Sequence, residues 1–281
     1  MRKRLLFITL CIFACREQEV DLAFNTQNVP DQTFVLESKI QIFAEDPDEK
    51  NPESMDSRLF LQLTSSLLSA YDDGSGRFLI KVDSAKYQSD KRSVEEFRHI
   101  ERYVGSQDFQ FKMASDGQMS ALSMEEYAPV FESNDLDIRK LFLKVQPVLP
   151  SSPVKVGTSW ERQHLIAGEK NSPDLFVYKW FQVEDLFVRG GITYARLKMN
   201  IKYRQESSGS AIYQMESAGF VLGSGSVVFN VSEGVLVEGV IKIDGRIRMR
   251  EKIEAETDSS AIAESGLEMH VIQEISLRSI S

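Results

Sequence analysis

The chain has 281 residues, 33 basic and 42 acidic side chains, and a formal net charge of −9. It is 42% hydrophobic and 27% charged, as an average globular protein is, which excludes a disordered, a collagen-like or a polytopic membrane chain. Its length fits one large β domain or two smaller ones, with a sizeable core.

The N-terminus has the layout of a signal peptide. Arg2, Lys3 and Arg4 precede an apolar stretch of ten residues, 5–14. Ten residues are too few to cross a bilayer core of about 30 Å as a helix, but they suit the apolar region of a signal peptide. We expect residues 1–14 to be removed.

The segment Ile12-Phe13-Ala14-Cys15 resembles the lipobox of bacterial lipoproteins. The resemblance implies that Cys15 becomes the N-terminus and carries acyl chains such as palmitate. An ordinary signal peptide with an incidental cysteine is the alternative. Arg16 follows Cys15, where an aspartate would favour the inner membrane in Gram-negative bacteria, so the resemblance points to the outer membrane. Which face of that membrane carries the protein stays open.

Cysteine and charge counts agree with a lipid anchor. The chain has two cysteines, Cys11 and Cys15, so cleavage before Cys15 leaves one thiol and no internal disulfide. Cleavage also removes three basic residues and no acidic one, which makes the mature net charge −12. Such a charge gives no electrostatic affinity for nucleic acid or anionic lipid headgroups. We interpret residues 15–31 as a lipidated tether.

Period-two alternation predicts strands in an N-terminal half, residues 32–146. Turns are predicted at residues 72–76 and at Ser115-Asp116-Gly117. Ser93 and Glu96 form a capping box for a helix that Gly105 would end. Two more short helices are expected, at Met124–Phe131 and Asp137–Val145. The strand residues that share a core face are Phe34, Leu36, Ile40 and Ile42, then Leu59, Leu61 and Leu63, then Phe78, Ile80 and Val82, then Phe109, Phe111 and Met113.

A proline-dense stretch, Pro147–Pro153, marks the boundary to a C-terminal half, residues 147–281. The segment Leu175–Val183 is apolar on both faces, so it is expected to be a central strand covered on both sides. A turn at Arg189-Gly190-Gly191 leads to a strand whose core face holds Leu197, Met199, Ile201 and Tyr203.

Residues 235–255 admit two interpretations. A hairpin turn at Asp244-Gly245 would place isoleucines and arginines on one surface. A single long strand keeps all the apolar residues on one face, so we prefer it. Gly239 and Gly245 then lie on that face and permit bending. The last strand, residues 267–277, has the same phase.

Together these patterns predict a mainly β fold: a long, strongly curved antiparallel sheet, or unclosed β-barrel, with a few short helices. Similar segments recur at an offset of 116 or 117 residues, such as Ile80-Lys81-Val82 and Leu197-Lys198-Met199. Whether the halves are a duplication stays open.

No motif for catalysis, a metal or a cofactor emerges. His99, His164 and His270 are isolated in sequence, and a zinc site needs three or four ligands. The segment Gly223-Ser224-Gly225-Ser226 lies in a predicted strand and lacks the context of a nucleophile elbow or a phosphate loop. The acidic residues 45–51 lack the spacing of a calcium loop. We therefore predict no catalytic residue, metal or cofactor, and leave the ligand-binding residues unassigned.

Aromatic residues concentrate in the C-terminal half, where they either pack the core or line an apolar cavity. A strongly curved sheet leaves a concave apolar face that short helices fill incompletely. These aromatic residues are Trp160, Phe176, Tyr178, Trp180, Phe181 and Phe187.

The phrase Pro153-Val154-Lys155-Val156-Gly157-Thr158-Ser159-Trp160, preceded by Leu149-Pro150, resembles one found in uncharacterised bacterial envelope proteins grouped as a domain of unknown function. Tyr103-Val104-Gly105 and the strand and turn of Phe109–Gly117 extend the similarity, which covers most of residues 33–250. That family offers no active-site residues. More distantly, the predicted fold resembles the unclosed barrels of periplasmic lipoprotein carriers and lipid-binding lipoproteins.

Three functional hypotheses follow. The first is a non-enzymatic envelope lipoprotein that binds or carries an apolar ligand or a protein partner. The second is a structural or surface-interaction lipoprotein without a small ligand, which an exposed apolar patch or an unpaired strand edge would favour. The third is an envelope hydrolase, which requires a cleft where a histidine or two carboxylates converge.

Overall fold

A computed structural model describes residues 19–45, 53–121, 138–166, 175–205, 213–216, 221–251 and 266–280. These residues form twelve strands and two helices. In chain order they are β1 (Gln32–Glu45), β2 (Glu53–Ala70), β3 (Gly76–Ser89), α1 (Val94–Gly105), β4 (Phe109–Met113), β5 (Met119–Ala121), α2 (Ile138–Val145), β6 (Ser159–Ile166), β7 (Leu175–Arg189), β8 (Ile192–Gln205), β9 (Tyr213–Glu216), β10 (Val221–Asn230), β11 (Val235–Glu251) and β12 (Gly266–Ser279).

All strands belong to one antiparallel sheet with the order β5-β4-β3-β2-β1-β12-β11-β10-β8-β7-β6, and β9 pairs with β11 beside this path. Each half of the chain is a meander of neighbouring strands, and the halves join where β1 pairs with β12 over residues 34–45. Strands β5 and β6 lie at the two edges and do not pair with each other in the part of the chain described. The mainly β, unclosed antiparallel architecture is therefore confirmed.

The contacts of α2 show how strongly the sheet curves. Strands β4 and β7 are eight positions apart, which is about 38 Å in a flat sheet at roughly 4.8 Å per strand. Helix α2 has eight residues and is only about 12 Å long. Yet its Phe142 ring lies 6.5 Å from that of Phe111 on β4, and Lys179 on β7 bonds its last turn. The sheet must therefore curl around the helix.

Helix α2 lies on the concave face, where one hydrophobic cluster joins residues of both halves. The predicted apolar residues Leu141, Phe142 and Val145 are all buried. Gly239 makes room for this packing, because a Cβ there would overlap Cγ1 of Val145. The predicted helix at 137–145 is thus confirmed from Ile138 onward, whereas Met124–Phe131 lies outside the described residues.

The proline-dense segment spans the gap between the two edges of the sheet. On one side Trp160 of β6 donates from Nε1 to the carbonyl of Val148 (2.7 Å). On the other side the amide of Leu149 donates to the carbonyl of Asp116, in the β4–β5 turn (2.7 Å). Residues 146–150 therefore connect the edges without forming a strand between them.

Residues 19–31, here called the strap, cross the end of the sheet where β1 begins. Val20 exchanges two backbone hydrogen bonds with Val154 (2.9 and 2.8 Å). Phe24 is buried against Phe229, with ring centroids 5.0 Å apart. Thr26 donates to the carbonyl of Gly74 (2.5 Å). The strap thereby links the C-terminal meander to the N-terminal one.

Glycines at two turns allow the strap to approach so closely. Gly117 and Gly234 both have a positive φ (83° and 68°). A Cβ at Gly117 would overlap the ring of Phe24, and a Cβ at Gly234 would overlap the backbone amide of Asn25. This packing differs from the tether predicted for residues 15–31, since the described part is bound to the domain.

Two predicted details of the strands are changed by tertiary pairing. Strand β7 is next to the edge strand β6 and is not central. Its Val177, Phe181 and Val183 are buried, whereas Tyr178 and Trp180 are partly exposed on the convex face and stack on each other at 6.1 Å. The apolar residues on both faces therefore reflect an aromatic pair on the outside and not a second covering layer.

Helix α1 has the predicted capping box of Ser93 and Glu96, but Gly105 is its last helical residue and Ser106 is the C-cap. Strand β11 is continuous through Asp244-Gly245, as preferred, up to Glu251. A bulge lies near its start, because Val228 pairs with Glu238 and Phe229 with Leu236. Leu236 is consequently buried, and Val237 is only partly so.

Candidate functional site

The concave face differs between its two ends. The strap end is crossed by residues 19–31 and holds the turns after β2, β4, β7 and β10. The far end is the opposite end of the sheet, where β1 ends and β7 begins. Three polar residues, Ser38, Lys179 and Gln273, interrupt the apolar rows of this face between the two ends, and all three are buried.

Lys179 of β7 is bound to the C-terminal end of α2. Its Nζ donates to the carbonyls of Leu143 (2.5 Å), Gln146 (2.9 Å) and Lys144 (3.4 Å). Leu143 and Lys144 lie in the last turn of α2, whose carbonyls the helix leaves without a partner, and Gln146 follows the helix. Burial lowers the pKa of Lys179 to about 7, whereas the three carbonyls and the negative end of the helix dipole favour the ammonium form.

A second polar chain fixes the same helix to the middle of the sheet. Lys144 of α2 donates to Oε1 of Gln273 (2.6 Å), and Nε2 of Gln273 donates to the hydroxyl of Ser38 (3.1 Å). Gln146 in turn donates to the sulfur of Met113 (3.5 Å). Each of these side chains has a hydrogen-bond partner, so the network holds α2 in one position. Lys179 itself is only 7% exposed, and its ammonium group bonds the end of this helix.

Burial on the concave face changes between two neighbouring crosswise rows. The row of Ile40, Gln273, Ile243, Ile201 and Lys179 is buried throughout. The next row toward the far end, here called the far-end row, is mostly only partly buried. It runs across seven strands through Met55, Ile42, Val271, Gly245, Val221, Tyr203 and Val177.

Tyr203 supplies the one hydroxyl of the far-end row. Its ring packs on the hydrophobic cluster, and its Oη is buried without a hydrogen-bond partner. Burial raises the pKa of Tyr203, so the hydroxyl stays protonated and able to donate. The far-end row therefore combines an apolar surface with a single unpaired polar group, which suits an amphiphile better than a hydrocarbon.

The three histidines do not converge. His99 is exposed on α1 and His164 is on the edge strand β6, where its side chain lies outside the described residues. His270 of β12 bonds Asp244 across the convex face (2.8 Å) and lies against Phe43. Among the residues with a described structure, no group of three or more His, Cys, Asp or Glu side chains could hold a metal.

The remaining predicted features are distributed over the fold. Cys15, with its expected acylation, and most of the acidic loop lie outside the described residues. The segment 223–226 is part of β10, as predicted. No helix in the described ranges is long and apolar enough to span a membrane.

The aromatic concentration does not line one cavity. Trp160 stacks on Phe181 on the concave face, with centroids 5.4 Å apart. Trp180 and Tyr178 stack on the convex face, and Phe187 stacks on Tyr194 at 5.4 Å. The side chain of Phe176 lies outside the described residues. The interpretation of plain packing therefore fits Trp160 and Phe181.

Sequence reasoning missed Lys179 and Gln273, although a signal was present. Both stand in phase with the apolar residues of the concave face, Lys179 between Val177 and Phe181, and Gln273 between Val271 and Ile275. A polar residue in such a position needs a buried partner. The far-end row could not have been found in this way, because its exposure depends on what packs over the sheet and not on the phase of the strands.

Neither family models nor curated proteins match this chain. Among solved structures, a DUF1329 family protein from Desulfovibrio piger is similar over 88% of this chain and 85% of that one, at 7% identity and a TM-score of 0.14. That likeness is to a domain of unknown function.

Proposed function

We propose that this protein is a bacterial envelope lipoprotein, anchored through acyl chains on Cys15, that binds or carries an apolar ligand without catalysing a reaction. The binding site is the far-end row. The ligand class is an amphiphile with an alkyl or acyl chain and a hydrogen-bond acceptor.

One observation carries the proposal: all residues of the far-end row except Gly245 and Val177 are only partly buried, whereas the adjacent row of the concave face is fully buried. Ile40 is 6% exposed and Gln273 3%, whereas Ile42 and Val271, two residues further along the same strands, are only partly buried. A partly covered apolar row beside a fully packed one is the arrangement expected of a binding surface. The unpaired Oη of Tyr203 adds an orienting group.

Binding is favoured over hydrolysis by what the described ionisable groups do. Lys112 and Ser75 hold the pKa of the Asp73 carboxyl well below its usual range, and Ser93 lowers that of Glu96 at the start of α1. Lys179 holds the end of α2. The two carboxylate shifts are thus caused by structural hydrogen bonds, and burial causes the pKa shifts of Lys179 and Tyr203. A catalytic group needs access to a substrate besides a pKa matched to its reaction.

A structural or surface-interaction lipoprotein is the second candidate. It is favoured by α2 and residues 146–150, which fill the middle of the concave face. The two candidates differ in whether the far-end row takes up a small molecule.

Titration of the detergent-solubilised full mature protein with palmitate carrying a terminal fluorophore tests this. We expect saturable binding that Val271→Glu weakens at least tenfold, because a carboxylate would lie in the far-end row. Ile272→Glu is the matched control, since Ile272 is also partly exposed but faces the convex side. Binding that is not saturable, or is lost equally in both variants, contradicts the proposal.

A further inference from the structure

We infer that the strap end of the domain is a membrane-docking surface that lies against the bilayer holding the protein's own acyl chains. The inference rests on the proposed acylation of Cys15. It adds an orientation: a defined face of the domain touches lipid, and the far-end row points away from it.

The path of the chain places the anchor at this end. Val20 is fixed by two backbone hydrogen bonds to Val154, just before the first residue of β6. Val20 is only five positions after Cys15, and five positions of extended chain span at most about 18 Å. The acyl chains therefore hold the strap end within a short distance of the lipid headgroups.

Exposed apolar side chains gather at the same end. In the described residues eight large hydrophobic side chains are exposed, and five of them lie on turns or strand ends here. They come from both meanders and are not neighbours in sequence. They are Val188 (63%), Val156 (55%), Ile280 (49%), Leu68 (47%) and Tyr71 (37%).

These residue types suit a lipid interface. Valine, isoleucine and leucine at turn tips insert into the boundary of headgroups and acyl chains. Tyrosine sits at that level because its ring is apolar and its hydroxyl polar, and Arg189 beside Val188 can extend its charge toward the headgroups. Asp72, Asp73 and Glu233 are exposed at the same end, so docking does not require anionic lipid, and zwitterionic vesicles are the appropriate probe.

The orientation has a consequence for the ligand. Strand β1 has 14 residues and spans about 46 Å at roughly 3.3 Å per residue. The far-end row is therefore tens of ångströms from the anchoring bilayer. A ligand held there exchanges with something facing the protein from the other side and not with the membrane that anchors it.

Site-specific depth quenching tests the docking surface. The full chain is produced with Val188→Cys or Leu222→Cys in a host that processes lipoproteins. Processing and acylation leave the new cysteine as the only free thiol, since the chain has no others besides Cys11 and Cys15. Leu222 is the control, because it is similarly exposed (52%) but lies at the far end. Each variant carries an environment-sensitive fluorophore and is reconstituted into phosphatidylcholine vesicles with nitroxide-labelled acyl chains.

We expect several-fold stronger quenching and a blue shift at position 188 compared with position 222. Equal, weak quenching at both positions in a protein that floats with the vesicles overturns the docking surface and leaves the anchor intact. A protein that does not float, with an unmodified Cys15 by intact mass, overturns the anchor itself and this inference with it.

Discussion

The two ends of the sheet differ in how their apolar concave face is covered. At the strap end, the chain's own residues 19–31 cover the concave face, and Leu22, Phe24 and Thr26 are buried there. At the far end, residues of equal hydrophobicity such as Ile42, Val221 and Val271 are only partly buried. Since the strands and their alternation are alike at both ends, the difference comes from what lies on the sheet. A ligand at the far end would take the place that the strap takes at the other.

The largest effect on stability is expected from removing the contact between the strap and the sheet. Phe24→Ala removes a ring that packs edge-to-face on Phe229 at 5.0 Å, so it should lower the free energy of unfolding by about 3 kcal/mol. Urea unfolding followed by circular dichroism measures it. Val94→Ala, at a side chain 64% exposed, should stay within about 0.5 kcal/mol of wild type. Similar small losses in both variants would show that the strap is not part of the core.

The link between α2 and β7 comes next. Lys179→Met leaves three carbonyls unpaired and should cost about 2 kcal/mol at pH 7. Because burial lowers the folded-state pKa of Lys179 to about 7, below the ordinary 10.5, the unfolded chain binds more protons between these values. Wild type should therefore gain stability relative to the variant as pH rises from 7 to 10.

Urea titrations of both proteins at pH 7, 8.5 and 10 give the difference in their free energies of unfolding. The contributions of titrating groups that both proteins share cancel in this difference. Lys198→Met serves as the control, because Lys198 is exposed on the convex face of β8, and its effect should be small and independent of pH. A Lys179→Met difference that shrinks with rising pH would contradict a buried amine with a lowered pKa.

A smaller effect is expected where α2 meets β11. Gly239→Ala places a methyl group against Val145 and should lower the free energy of unfolding by about 1 to 2 kcal/mol. Combining it with Val145→Ala should recover part of the loss in a double-mutant cycle. Gly105→Ala, where a Cβ meets nothing within 4 Å, should instead stabilise α1 by about 0.5 kcal/mol. If the losses of stability from Gly239→Ala and Val145→Ala are additive, the packing of α2 on β11 at this point is contradicted.

The smallest effect on stability is expected at the far end. Tyr203→Phe removes a hydroxyl without a partner, so thermal unfolding of the ligand-free protein should be unchanged or slightly later. The same variant should bind fluorescent palmitate more weakly, since the ligand loses its hydrogen bond. A stability loss above about 1 kcal/mol would show that the hydroxyl already has a partner within the protein.

The comparison also explains which features the sequence predicts. Strand phase and turns are local, so the core residues of β1 to β4, the capping box at Ser93 and the continuity of β11 through Asp244 followed from alternation and capping chemistry. The strap did not, although Leu22, Phe24 and Thr26 alternate, because three short alternations in a polar segment do not specify a partner. The exposure of the far-end row depends on what packs over it, which the alternation of the strands does not specify.

Native mass spectrometry of the mature protein, gently extracted from its own envelope, shows whether the far-end row holds a ligand. We expect one lipid-sized mass per chain beyond the covalent acyl groups, released on denaturation and absent from Val271→Glu but present in Ile272→Glu. A protein that carries only its covalent acyl groups, both from the native envelope and after incubation with palmitate, would contradict the assignment of the far-end row as a ligand site.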